Sequence, residues 1–196
     1  MGAGRGQNRG DAIDAQKRPY FTTFELILLA LFAALVVVAK IALRLPLQMP
    51  GHSGLFWMAI VITAAGIVPK RGAAALVGLS SGILAGFLGL GDFGAADTIA
   101  SYAAVGIGVD LAGWLLGDLE NLWSAALVGA LGHTAKFLVK WAFGLIVGAP
   151  VGFLALGLAW SAFNYVIFGA LGGLLGGLTL RALRKAGFFT YLQEKR

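Results

Sequence analysis

The sequence contains no cysteine. That excludes a disulfide framework, a thiolate metal site and a cysteine nucleophile. Charge is also scarce: 12% of the 196 residues are charged, about half the ~25% of an ordinary soluble domain. Histidine occurs twice, as His52 and His133, too few for a His-rich metal centre. There is no GxxxxGK[ST] loop and no HExxH, so the chain lacks the Walker phosphate cradle and the zincin site. Gly89–Gly94, GLGDFG, matches GxGxxG by letter only. That pattern binds dinucleotides when it follows a strand and opens a helix. Here it joins two apolar helical stretches, and it reads as a hinge-like outer loop.

What the chain does have is apolar surface. Hydrophobic residues make up 59%, with 30 glycines besides, and the mean hydropathy is +0.85. One small water-soluble core cannot absorb that much apolar side chain. A disordered chain, a nucleic-acid-binding domain and an ordinary soluble enzyme are thereby disfavoured, and the bilayer becomes the expected solvent. The formal net charge of +6 then reads as membrane orientation rather than as a nucleic-acid footprint.

A bilayer span needs about 20 mostly apolar residues. Six stretches qualify, at about 24–43, 54–69, 72–90, 95–117, 122–147 and 151–183. The second is the shortest. The sixth is long enough to tilt or to run on beyond the bilayer. With the N-terminus inside, the inner segments carry Arg5, Arg9, Lys17, Arg18, Lys70, Arg71, Arg181, Arg184, Lys185, Lys195 and Arg196, and the outer loops carry Arg44 alone. This asymmetry follows the positive-inside rule. The expected fold is an all-α integral membrane protein of six transmembrane helices with both termini cytoplasmic. Residues 1–23 are expected to be a polar, partly disordered tail, 24–186 the membrane domain and 187–196 a second cytoplasmic tail. The first 23 residues lack the apolar core of a signal peptide.

Small residues recur every four positions at Gly78/Gly82/Gly86, Gly113/Gly117 and Gly169/Gly173/Gly177. Such stripes let helix backbones approach closely, and the simplest reading is packing within the molecule.

Ionisable groups inside spans are the chemical clue, because each is costly in hydrocarbon unless it faces an interior or a cavity. His133, Lys136 and Lys140 fall at i, i+3 and i+7 and share one helix face. Depth along the spans puts Asp97 within reach of Lys140, and Asp110 level with His133. Neutralising pairs are one reading. The other starts from surplus: Lys40, Lys136 and Lys140 outnumber the outer acids Asp92 and Asp97, which suits an anionic ligand. The loop RLPLQMPGHSGLFW adds Gln48, His52 and Trp57, able to close over a small molecule, although Trp57 also fits an interfacial anchor. Trp160 and Asn164 are i, i+4 neighbours on the sixth span, and Tyr102 would complete the wall. The candidate substrate site is thus Gln48, His52, Trp57, Asp97, Tyr102, Lys136, Lys140, Trp160 and Asn164, with no metal and no cofactor called for.

Taken together, these features resemble the substrate-binding S component of an energy-coupling factor (ECF) transporter. The resemblance covers about residues 24–186. It rests on the size and six-span layout, on ALFAALVVVAK with Ala30 and Ala34, on GIVPKRGAAALVGLSSGILAGFLG, and on the Gly-rich last span FNYVIFGALGGLLGGLTLRALRK with its basic end. The resemblance implies a non-enzymatic subunit in the cytoplasmic membrane of a prokaryote. Such a subunit captures a vitamin or similar micronutrient from outside, in a pocket formed by the outer halves of the helices and the loops after spans one, three and five. Its partners would be a membrane coupling (T) component, docked on Ala30 and Ala34, and two ATPase subunits. ATP hydrolysis there would topple the subunit and release the substrate inside. The nickel and cobalt branch of that family uses an N-terminal Met-His site, whereas this chain begins Met-Gly-Ala-Gly, so no metal cargo is expected. The basic stripe favours an acidic ligand, and Trp57, Trp141 and Trp160 favour a flat ring. Biotin, folate, pantothenate and a pyrimidine or thiamin precursor all remain open. Two other readings use the same residues: a small proton-coupled permease or membrane enzyme built on the buried His, Lys and Asp groups, and a non-catalytic membrane scaffold.

Overall fold

The structure is a computed structural model that describes residues 19–42, 50–148 and 150–189, with backbone only for 153–156. Residues 1–18 of the tail expected at 1–23, the last residues 190–196, Arg44 and Gln48 lie outside the described residues.

Six helices follow one another: α1 Thr23–Ala42, α2 Gly54–Ile67, α3 Ala73–Phe87, α4 Ala95–Leu116, α5 Leu122–Ile146 and α6 Val151–Lys185. Among the described residues there is no strand. Helix boundaries fall where the sequence changes character. Thr22 and Glu25 form a reciprocal capping box at the start of α1: Thr22 N–H donates to Glu25 Oε2 (2.9 Å) and Glu25 N–H to Thr22 Oγ1 (3.2 Å). Gly72, at φ +87°, supplies the left-handed residue that turns the chain into α3. Asn121 caps α5 by accepting the Trp123 N–H at 3.0 Å.

Four helices are long and apolar enough to cross a membrane: α1, α4, α5 and residues Gly157–Lys185 of α6. Their outer faces are rows of exposed apolar side chains, such as Ile27, Leu31, Leu35 and Val38 on α1, and Ile107, Leu111 and Trp114 on α4. Water would not tolerate apolar faces this continuous. The chain is therefore a membrane-embedded helical protein.

Helix α2 is the hub. At 14 residues it is only about 21 Å long, too short for the ~30 Å hydrocarbon core. It nevertheless contacts all five other helices. Trp57, Met58, Val61, Ile62, Ala64 and Ile67 are buried along its length, as expected of a helix that is apolar all round. Around it, α3 packs on α4, α4 on α5, α5 on α6, and α1 leans on α2 and α3.

Glycine sets how closely these helices approach. A Cβ on Gly173 would collide with the Ala125 carbonyl, and one on Gly129 with the Gly169 carbonyl, so α5 and α6 touch backbone to backbone. Gly78 and Gly106 do the same between α3 and α4, while Gly172 and Gly176 face α2. The Gly113/Gly117 stripe is a correction to the packing expectation. A Cβ at either position would meet nothing within 4 Å, because both residues border a hollow rather than a helix.

Candidate functional site

Five charged side chains gather at one end of the bundle. Lys40 comes from the last turn of α1, Asp92 from the α3–α4 loop, Asp97 from the first turn of α4, and Lys136 and Lys140 from the C-terminal half of α5. Lys140 bridges the two acids. It pairs with Asp92 and lies 3.5 Å from Asp97 Oδ2. Asp97 is fully buried, and its Oδ1 accepts the Ser101 hydroxyl at 3.0 Å, one helical turn on. Lys40 Nζ donates to the Leu90 carbonyl at 2.6 Å. The loop between α3 and α4 is thus tethered by a lysine from α1 and another from α5. Asp92 is largely exposed on this loop. Desolvation works against its ionisation, but the hydrogen bond and charge of Lys140 outweigh it, with help from Lys40 and Lys136, and hold the carboxyl below its usual range.

Lys136 is different. It is buried, with 4% relative exposure, and among the described residues it makes no hydrogen bond and no ion pair. Its Nζ lies 4.4 Å from the Trp57 ring centroid and 4.8 Å from that of Tyr102. Those two rings stack at 5.4 Å with 22° between planes. Lys40 Nζ lies 5.2 Å from the same Tyr102 ring, so two ammonium groups share one aromatic platform. Magnitudes decide what this means. Two desolvated cation–π contacts are worth about 2 kcal/mol each. An effective desolvation penalty of several kcal/mol per buried ion, plus repulsion from Lys40, exceeds that.

Polar groups nearby are also left over. Trp57 Nε1, Tyr102 Oη, His133 Nε2 and Trp141 Nε1 are buried without a hydrogen-bond partner among the described residues, and each such group costs about 1–3 kcal/mol. His133 Nδ1–H donates to the Tyr165 carbonyl at 2.9 Å, which fixes the tautomer, since a carbonyl can only accept. The His133 ring meets Trp57 edge-on at 5.3 Å and Tyr165 at 4.6 Å. The loop before α2 closes on it. Gly51, at φ +80°, lies against Tyr165 and His133, and a Cβ on Gly54 would run into the imidazole. Two glycines in PGHSG are what let this loop sit flush on the site.

The candidate residues from the sequence separate accordingly. Trp57, Asp97, Tyr102, Lys136 and Lys140 come together. His52 lies in the turn just before α2. Gln48 lies outside the described residues. Asn164 is buried, and its Nδ2 donates to the Trp160 carbonyl at 2.7 Å, one turn back on its own helix. Trp160 does not join the cluster: it is 56% exposed and stacks on Phe163 on the outside of α6. Ala30 and Ala34 are exposed on the outer face of α1. Asp110 is a correction. It does not pair with His133; its carboxylate accepts the Ala74 and Ala75 N–H groups at 3.2 and 2.8 Å and so caps α3 from the side of α4. Tyr165 and Ser101 belong to the site without having been singled out. Ser101 was visible as the i+4 partner of Asp97.

At the opposite end, Lys70 reaches back to the start of α1, bonding Glu25 at 2.6 Å and the Tyr20 carbonyl at 2.8 Å. Arg184 pairs with Glu120, and Arg181 Nε donates to the Glu120 carbonyl at 2.6 Å.

No family model, curated protein or solved structure matches the chain.

Proposed function

We propose that this protein is the membrane-embedded substrate-binding subunit of an ECF-type importer. It captures a small molecule bearing an anionic group and a flat ring, and partner subunits energise its uptake. The observation that carries the reading is the Lys136 ammonium, buried over the stacked Trp57 and Tyr102 rings and without an ion pair among the described residues. An anion entering there meets Lys136 and finds donors in Trp57 Nε1 and Tyr102 Oη. A ring on that anion extends the aromatic stack.

In this reading all six helices lie within the bilayer and both termini are cytoplasmic, in the cytoplasmic membrane of a prokaryote. The separation of charge supports the orientation. Lys70, Arg71 and Arg184 border one end, and the tethered acids and the aromatic site occupy the other. The reading requires no turnover by this chain. ATP hydrolysis belongs to two partner ATPases, reached through a coupling protein that docks on the exposed Ala30 and Ala34 face of α1.

The test is capture. Protein purified in mild detergent is examined by native mass spectrometry for a co-purified small anion, and its tagged form for co-purification of a membrane coupling protein and ATPases from the native host. Retention of a stoichiometric anion together with those partners supports the proposal. Protein free of any ligand and partner contradicts it.

A further inference from the structure

A second feature lies at the other end of the bundle, and it stands independently of the importer reading. Between the start of α3 and the last turns of α4 runs a groove of about 360 Å³, whose walls include Arg71, Ala75, Ile107, Leu111 and Trp114. Ile107, Leu111 and Trp114 are spaced i, i+4 and i+7, so they form one stripe on α4 about 10 Å long. All three are more than half exposed, and the stripe opens outward to where lipid lies. The floor is closed because Gly78 and Gly106 bring α3 and α4 into backbone contact just beyond it.

Arg71 stands at the head of this stripe. Its guanidinium lies 4.9 Å from the Trp114 ring centroid, and among the described residues it has no carboxylate partner. The one acid in the groove is already engaged, since both oxygens of Asp110 accept N–H groups of α3. Of the other basic groups at this end, Lys70 pairs with Glu25, Arg184 with Glu120, and Arg181 donates to the Glu120 carbonyl.

We infer that this groove holds one anionic phospholipid, with its phosphate on Arg71 and an acyl chain along Ile107 and Leu111. The chemistry is complementary at both ends. A guanidinium offers paired donors to phosphate oxygens, and an indole at the headgroup level suits the interface. The apolar stripe below it matches a hydrocarbon tail. Basic pockets between membrane helices select anionic headgroups on this basis.

Native mass spectrometry in neutral detergent tests it, with phosphatidylglycerol and phosphatidylcholine of identical chains added separately. The wild type is expected to retain one phosphatidylglycerol and to strip phosphatidylcholine readily. Arg71→Gln is expected to weaken phosphatidylglycerol retention about fivefold, as for one basic residue at the membrane surface. Arg184→Gln, with its partner Glu120, is expected to leave it unchanged. Equal retention of the two lipids overturns the inference. So does an unaffected Arg71→Gln, or an equal loss in Arg184→Gln, which would show a diffuse basic surface instead of a site. Displacement of the lipid by glycerol 3-phosphate at equal concentration would likewise overturn it, since the acyl contacts would then contribute nothing.

Discussion

Lys136 Nζ sits 4.4 Å above the Trp57 ring on a neighbouring helix, and among the described residues no carboxylate lies within ion-pair distance of it. A protein selected only for stability would place a leucine or methionine there. The lysine therefore has to be explained by what it meets.

Lys136→Met removes the buried cation while keeping an unbranched side chain of similar length. Ligand affinity is expected to fall roughly tenfold to a hundredfold, the range for losing a hydrogen bond to a charged group. The melting temperature of the ligand-free protein is expected to hold or rise, because an uncompensated buried charge destabilises. Differential scanning fluorimetry with and without ligand separates the two effects. A large drop in ligand-free stability would mean that Lys136 is structural.

Glycine substitutions discriminate packing from open space. Gly173→Ala drives a methyl into the Ala125 carbonyl and is expected to destabilise by about 1–3 kcal/mol, as overpacking does. Gly113→Ala meets nothing and is expected to be neutral or to stabilise α4 by about 0.5–1 kcal/mol through helix propensity. Thermal melts of the two variants in one detergent check the contrast.

Asp110→Ala uncaps α3 and is expected to cost about 1 kcal/mol, within the usual range for a lost N-cap. Since Asp110 bonds Ala74 and Ala75 while His133 bonds Tyr165, the cost is expected to be the same in a His133→Gln background. Additive losses in the double mutant confirm two separate roles; a coupling energy above about 0.5 kcal/mol would indicate a direct pair.

The Asp92–Lys140 bridge gives the α3–α4 loop an acid limit. A carboxyl whose folded pKa is lowered contributes stability that is fully present above its unfolded value and lost as pH falls through the folded one. Protease protection of this loop is expected to be flat from pH 7 to 5 and to fall only below about pH 4, the unfolded carboxylate value. Asp92→Asn is expected to abolish that acid-dependent step while lowering protection at neutral pH.

Much of this was legible in the sequence for a plain reason. Apolar runs bounded by Gly, Pro and charge give the six helices to within three residues at each end, and i, i+3, i+7 spacing put Lys136 and His133 on one inward face. The surplus of Lys40, Lys136 and Lys140 over Asp92 and Asp97 also appears as a single cluster. What the sequence could not carry was direction in space. Trp160 and Trp57 are both tryptophans in the first third of an apolar helix, yet one is exposed beside Phe163 and the other is buried beside Tyr102. Gly113 shares the spacing of Gly169 and Gly173 but borders a hollow. Asp110 could be ranked by depth against His133, whereas its actual partners are backbone N–H groups of a different helix.

The most direct test of the central claim is isothermal titration of the purified protein with a ring-bearing carboxylate identified by its co-purification, alongside the corresponding neutral amide. The account predicts saturable one-to-one binding of the acid, at least tenfold weaker binding of the amide, and loss of that preference in Lys136→Met. Equal affinity for acid and amide, or an undiminished preference in Lys136→Met, would contradict it.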